Sequence, residues 1–191
     1  AFREKHTEKD ISSEIELTTE ATPEEMLETG FTKFSENLID DLLLKISECS
    51  PSFFEHLVVD LLVHMGYGGS FSEAAQVVGK SGDEGIDGII KEDKLGLDTI
   101  YIQAKRWKGV VGRPEIQKFA GALLGQKVSK GVFITTSSFT KEAEEYVSSV
   151  DRKVVLIDGT KLATLMIEHN VGISTVRTFE IKRIDSDYFE G

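Results

Sequence analysis

The sequence predicts an α/β domain, a mixed central β-sheet flanked on both faces by helices and preceded by a helical segment. Three observations carry that expectation. The second half alternates short β-rich runs with helical runs, which implies parallel strand pairing through crossover helices. A Gly- and Asp-punctuated stretch between residues 77 and 103 reads instead as short strands joined by a hairpin, which implies an antiparallel portion. Ahead of both, two segments carry helix start signals and apolar positions at helical spacing.

The elements follow in order. Residues 1–21 are polar and acidic, and read as a flexible linker. Thr22-Pro23, with Glu24, Glu25 and Glu28 behind it, is a helix start: an N-cap hydroxyl, Pro at the first helical position and acids at the positive end. Met26, Leu27, Phe31, Phe34, Leu38, Leu42 and Ile46 then recur at helical spacing to about Glu48, giving a linker helix over 22–49. Ser50-Pro51 opens a second helix with a stripe of Phe53, Phe54, Leu57, Val58, Leu61, Leu62 and Met65, closed by Gly66. Val77-Val78, Gly85 to Ile90 and Thr99 to Gln103 are the early strands, with Lys94 to Asp98 as the hairpin connection. Arg113-Pro114-Glu115 opens a helix to about Gln126, and Val132 to Thr135 is a buried strand. Lys141 to Ser149 is a helix, Val154 to Ile157 a strand, and Asp158-Gly159-Thr160 leads a last helix to about His169. Residues 50–191 thus form one domain.

Composition narrows the function classes. The 191 residues are 40% hydrophobic, enough for a real core, and no apolar run approaches the roughly 18 residues of a membrane span. The single Cys49 excludes an internal disulfide framework and a Cys-based zinc cluster, and fits a reducing cytoplasm. The polar opening Ala1-Phe2-Arg3-Glu4-Lys5 does not read as a signal peptide, and an initial Ala among charges suggests a fragment of a longer chain. Net charge is −11, but residues 1–50 hold 13 acids against 5 bases. Residues 105–130 carry seven bases against Glu115 alone. Local charge decides phosphate contact, so the acidic total does not veto a nucleic-acid partner.

The chemistry concentrates in Gly82-Asp83-Glu84-Gly85-Ile86-Asp87-Gly88 and Ile100-Tyr101-Ile102-Gln103-Ala104-Lys105-Arg106. Alternation along a strand puts Gln103 and Lys105 on one face, and a paired strand lies about 4.8 Å away. Asp87, a second oxygen ligand and Lys105 can therefore converge on a hard cation that keeps several waters, which suits Mg²⁺. Spacing alone favours the plainer arrangement in which Asp87 caps a turn and Lys105 faces solvent. Gly79-Lys80-Ser81 lacks the upstream Gly of a phosphate loop, so no nucleotide cofactor is expected. His56 and His64 stand eight apart, too far for a helical zinc pair. Thr135 to Ser138 could bind phosphate or simply cap a helix, and Trp107 could meet DNA or close the sheet.

The strings GDEGIDGII, IYIQAKRW, GRPEIQKFAGALLGQK and GVFITTSSFT resemble the catalytic domain of Mrr-type restriction endonucleases, across about 51–191 and through the ending Asp185-x-Asp187-Tyr188-Phe189. That resemblance implies a restriction-endonuclease-like core of the PD-(D/E)xK nuclease group. It implies a type IV, modification-dependent endonuclease that hydrolyses methylated double-stranded DNA with Mg²⁺, Mn²⁺ being able to substitute. It makes Asp87 the metal aspartate, Lys105 the catalytic lysine and Gln103 a metal-side ligand where most of the group has an acid. Glu55 matches a helical carboxylate that adds to the metal site and would offset the charge missing at Gln103. Arg106, Lys108 and Arg113 are the expected phosphate contacts. Glu84 departs from the usual Gly-Asp-Gly-Gly, and nothing before Pro51 is long enough for the winged-helix reader domain of such proteins. One site cuts one strand, so a homo-oligomer is expected, with the long first helix a candidate contact. The competing expectations are a non-cleaving DNA-binding module with a vestigial metal site, kept open by Gln103 and Glu84, and a junction or repair nuclease on the same scaffold.

Overall fold

In the computed structural model, residues 21–68, 88–93, 97–126 and 128–190 are described. The expected strand at Val77-Val78, the turn bearing Glu84 and the position of Asp87 lie outside them. Helix α1 spans Pro23–Glu48, α2 Pro51–His64, and strands β1 and β2 span Gly88–Lys91 and Thr99–Lys105. Helix α3 (Arg113–Gly125) leads to β3 (Lys130–Thr135), α4 (Lys141–Ser149) to β4 (Lys153–Ile157), and α5 (Gly159–Glu168) to a terminal turn, α6 (Ser186–Phe189).

The chain divides into two compact units, residues 1–41 and 42–191. In the first, Thr22 Oγ1 accepts from the Glu25 amide at 3.2 Å while the Glu25 carboxylate accepts from the Thr22 amide at 2.7 Å. This reciprocal box satisfies two otherwise orphaned donors at the start of α1. Met26, Leu27, Phe31 and Phe34, expected to form a packing stripe, are all exposed.

The second unit holds the sheet, in the order β1-β2-β3-β4. β1 runs antiparallel to β2 with Gly88 opposite Ile102, as the hairpin signal predicts. β2 to β3 and β3 to β4 are parallel, with Gln103 opposite Phe133 and Lys105 opposite Thr135. The sheet is therefore mixed, and both faces are covered.

One face is packed by α2, by α5 and by the last turns of α1, where Ile46, Phe54, Val58, Leu61, Leu62, Leu162 and Met166 meet Ile100, Ile102, Val132 and Ile134. The other is packed by α3 and α4, through Ile116, Phe119, Leu123 and Ala143 against Phe133 and Val154. Each of these large side chains contributes about 1.5–3 kcal/mol by leaving water. On α2 the burial departs from the expected stripe: Val59 is buried and Phe53 is 52% exposed. The stripe lies about a residue further round because the helix meets both the sheet and the end of α1.

Caps fix where the helices begin. Ser50 accepts from the Phe53 amide, Thr140 from Ala143 and Asp158 from Lys161. Gly66 ends α2 with φ 98°, a left-handed conformation that glycine enters without a Cβ penalty.

Candidate active site

The site grows from the C-terminal end of β2. Ile100, Ile102 and Ala104 belong to the core under α2, so the alternate residues Tyr101, Gln103 and Lys105 face the α3 side of the sheet. Gln103 is only 4% exposed, a buried amide in a strand paired on both sides. Lys105 ends the strand half-buried, with Nζ 5.6 Å from the centroid of the Trp107 ring. The ring face carries negative charge and attracts the ammonium there.

The backbone of Lys105 is anchored three ways. Its carbonyl accepts from the Trp107 amide at 3.0 Å, the Thr136 amide at 3.3 Å and the Thr135 hydroxyl at 2.9 Å. Thr135 is fully buried, and its oxygen also accepts from the Ser137 amide at 3.2 Å. Thr136 donates its hydroxyl to the Trp107 carbonyl at 2.9 Å. The threonine pair after β3 is thus a brace for the end of β2. These contacts are not the helix cap that the sequence offered for Thr135 to Ser138, since the cap of α4 is Thr140. Gly159 completes the brace: its amide donates to the Ser137 carbonyl at 2.8 Å, and a Cβ there would stand 2.5 Å from the Thr136 oxygen.

Arg106, expected at a phosphate, is turned to the end of α1, donating from Nη1 to the Ser47 carbonyl at 2.6 Å. That carbonyl lies in the last turn, where intrahelical donors run out and the helix dipole is negative. Its Nε is buried without a hydrogen-bond partner among the described residues. Arg106, Trp107, Lys108, Thr136 and Ser137 line one cleft of about 290 Å³ together with Leu43 and Ser47. Lys108 is exposed on it. Arg113, at the first turn of α3, stacks its guanidinium 5.1 Å over the Tyr146 ring.

Two other cations of the basic stretch are engaged elsewhere. Lys118 bonds Glu115 at 3.0 Å, and Lys130 bonds Asp98 at 2.7 Å and Glu92 as well. These acids raise the Lys130 pKa, Asp98 foremost, and Lys130 in turn lowers that of Asp98. This triad ties the base of the hairpin to β3.

The predicted metal-side residues are not gathered on one face among the described residues, where no group of three His, Cys, Asp or Glu side chains forms a metal site. Gln103 and Lys105 stand together on β2. Glu55 is half-buried on α2, one turn before Val59, and Val59 lies 3.8 Å from where a Cβ on Gly88 would be. The Glu55 face of α2 is therefore the face that meets the start of β1. The Trp107 ring beside Lys105, the Thr135 brace and the Arg106 link are contacts the sequence reading did not supply.

Residues 46–166 match the family model described as restriction endonuclease, Mrr_cat. The chain belongs to this family. It is 46% identical over 179 residues to the type IV methyl-directed restriction enzyme EcoKMrr of Escherichia coli K12, spanning 94% of this chain and 58% of that relative. Among solved structures it is similar to the MspJI restriction endonuclease in complex with a 27-mer oligonucleotide, with TM-score 0.52 and 24% identity over 72% of this chain and 33% of that one. It is also similar to the DNA modification-dependent restriction endonuclease AspBHI, with TM-score 0.55 and 20% identity over 80% of this chain and 37% of that one. At those identities the likeness establishes the restriction-endonuclease-like fold. In this Mrr_cat domain, the matched segment includes Gln103, Lys105, Glu55 and the Thr135 brace.

Proposed function

We propose that this Mrr_cat chain is the DNA-cleaving part of a modification-dependent restriction endonuclease, hydrolysing phosphodiester bonds of methylated double-stranded DNA. The observation that carries the reading is the braced end of β2, where Gln103 and Lys105 share a face inside the family match. The 46% identity to a relative described as methyl-directed supports the substrate class. Among the described residues no helix is long and apolar enough to cross a membrane.

The side-chain oxygen of Gln103 is a hard donor of the kind Mg²⁺ takes, and Asp87 precedes Gly88, the residue opposite Ile102. Asp87 and Gln103 would hold Mg²⁺ or Mn²⁺, which would supply charge neutralisation at the phosphate and a more acidic water; Glu55, on the α2 side of the sheet, stands apart from Gln103. Lys105, steadied by Trp107, orients the attacking water and offsets the negative charge that grows on the phosphoryl oxygens. Lys108 and Arg113 contact the flanking backbone phosphates, and Arg106 holds the loop that presents them. One such site cuts one strand, so a double-strand break takes a homo-oligomer.

The test is cleavage of methylated and unmethylated plasmid by the full-length protein with Mg²⁺ or Mn²⁺, beside Asp87→Ala. Metal-dependent cutting of methylated DNA that Asp87→Ala abolishes is the expected result. An intact protein that binds DNA in a salt-sensitive way and never nicks it would be a reader with a vestigial metal site. Preference for branched over methylated DNA would indicate a junction nuclease.

A further inference from the structure

Beyond α5 the chain runs on as an arm whose residues 174–190 are all exposed. Val176, Phe179, Ile181, Ile184, Tyr188 and Phe189 are each between 74 and 95% exposed. Its side chains meet one another: Arg177 stacks 5.7 Å over Phe179, Lys182 reaches Glu180 at 3.4 Å, and Tyr188 sits edge-on to Phe189 at 5.2 Å. So many large apolar groups on one uncovered segment mark a surface that is covered in the working protein.

The same unit has a surface that fits it. A groove of about 230 Å³ opens over the sheet from β2 to β4, floored by Tyr67, Ile100, Val132, Val155 and Leu165 and rimmed by Glu92, Lys130, Lys153 and Lys161. Val155 is 39% exposed there, and among the described residues β4 is hydrogen-bonded on its β3 side alone. An unpaired edge strand with apolar side chains is a template for an added strand. In an extended arm Phe179 and Ile181 fall on one face, alternating with Thr178, Glu180 and Lys182. The last six residues before Gly191, Asp185 to Glu190, hold three acids and no base, matching Lys153 and Lys161 on the rim, where Lys130 is already paired with Glu92 and Asp98.

We infer that the arm of one copy docks in this groove of a second copy, adding as a strand along the open edge of β4 with Phe179 and Ile181 over Val155. Among the described residues of one chain, arm and groove stand uncovered together, and reciprocal exchange about a twofold axis covers both at once and closes the assembly. This rests on the homo-oligomer reading above and assigns that oligomer its interface. The exposed Met26, Leu27, Phe31 and Phe34 of α1 would then be free for another role.

The experiment uses full-length protein in a Cys49→Ser background, with two copies carrying tags of different size, one Val155→Cys and the other Ile181→Cys. A short thiol-specific cross-linker is expected to give a mixed dimer band only when the two are combined. Light scattering on Phe179→Asp/Ile181→Asp is expected to show a lower mass than wild type, with the circular dichroism melt unchanged. A monomeric wild type would sink the oligomer reading and this one together. An oligomer that survives the double Asp change, or whose mixed variants never cross-link, would keep the oligomer and overturn the arm. Cross-linking of Val155→Cys/Ile181→Cys within one chain, without change of mass, would also overturn it by placing the arm in its own groove.

Discussion

The ammonium of Lys105 lies 5.6 Å from the centre of the Trp107 ring, two residues along the same chain. That contact sets one position for a flexible side chain whose backbone is already held by Thr135 and Thr136. A cation over an exposed ring gains about 0.5–1 kcal/mol. Trp107→Ala should therefore lower the cleavage rate by roughly two- to five-fold with little change in DNA affinity, and Trp107→Phe should keep most of it. Under the proposed role of Lys105, facing developing charge, Lys105→Met should cost on the order of 100-fold or more. Single-turnover rates on methylated plasmid separate the two effects.

Arg106 and Lys108 lie two residues apart and should respond differently. Losing the charged donor to Ser47 should lower the stability of Arg106→Ala by about 1–2 kcal/mol, since a hydrogen bond to a charged group is among the stronger ones. Lys108→Ala should leave the denaturant midpoint alone. It should weaken binding to all DNA sequences alike and reduce the salt slope of log K by about one. Urea melts and salt titrations of DNA binding make the comparison.

Gly159 is irreplaceable for a steric reason. A Cβ there would stand 2.5 Å from the Thr136 oxygen and 3.2 Å from Leu43 Cδ2. Gly159→Ala must push back the loop that braces Lys105, so a loss of about 1–3 kcal/mol is expected, the usual cost of overpacking. Activity should fall further than stability predicts, which parallel thermal melts and cleavage rates would reveal.

The Lys130, Asp98 and Glu92 triad predicts a pH window. The Asp98 pKa is held below its ordinary 3.8, so its stabilising effect is complete above that value and lost as pH falls through the lower folded pKa. The Lys130 pKa is raised above 10.5, so its effect is complete below that and lost as pH rises through the higher folded pKa. Lys130→Met should be less stable than wild type between these limits. The gap should close toward strong acid and shrink in molar salt, because the partners are solvent-accessible. Denaturant midpoints across pH at two ionic strengths test this.

The fold was legible because its signals are local. Pro in the first turn of α1, α2 and α3, the caps at Ser50 and Asp158, and buried runs such as Val132 to Thr135 each announce an element within a few residues. The pairing of Gln103 with Lys105 follows from strand alternation and was legible for the same reason. Phe53 and Val59 were misjudged because which side of a helix is buried depends on what packs on it, and α2 meets two neighbours. Arg106 was read as a phosphate contact because its partner, the Ser47 carbonyl, is 59 residues away and on the backbone, where side-chain identity carries no trace of it. The Thr135 brace is hidden likewise, since its acceptor is the carbonyl of Lys105 on the neighbouring strand.

β2 is the one described strand with an antiparallel neighbour on one side and a parallel neighbour on the other. A slip of one residue against either would turn Gln103 and Lys105 into the oily layer beneath α2 and bring Ile102 and Ala104 out. Two ladders of different geometry would have to break together for that to happen. The site-bearing strand is thus locked to the integrity of the whole sheet, so that its amides should exchange with deuterium only when the domain opens globally.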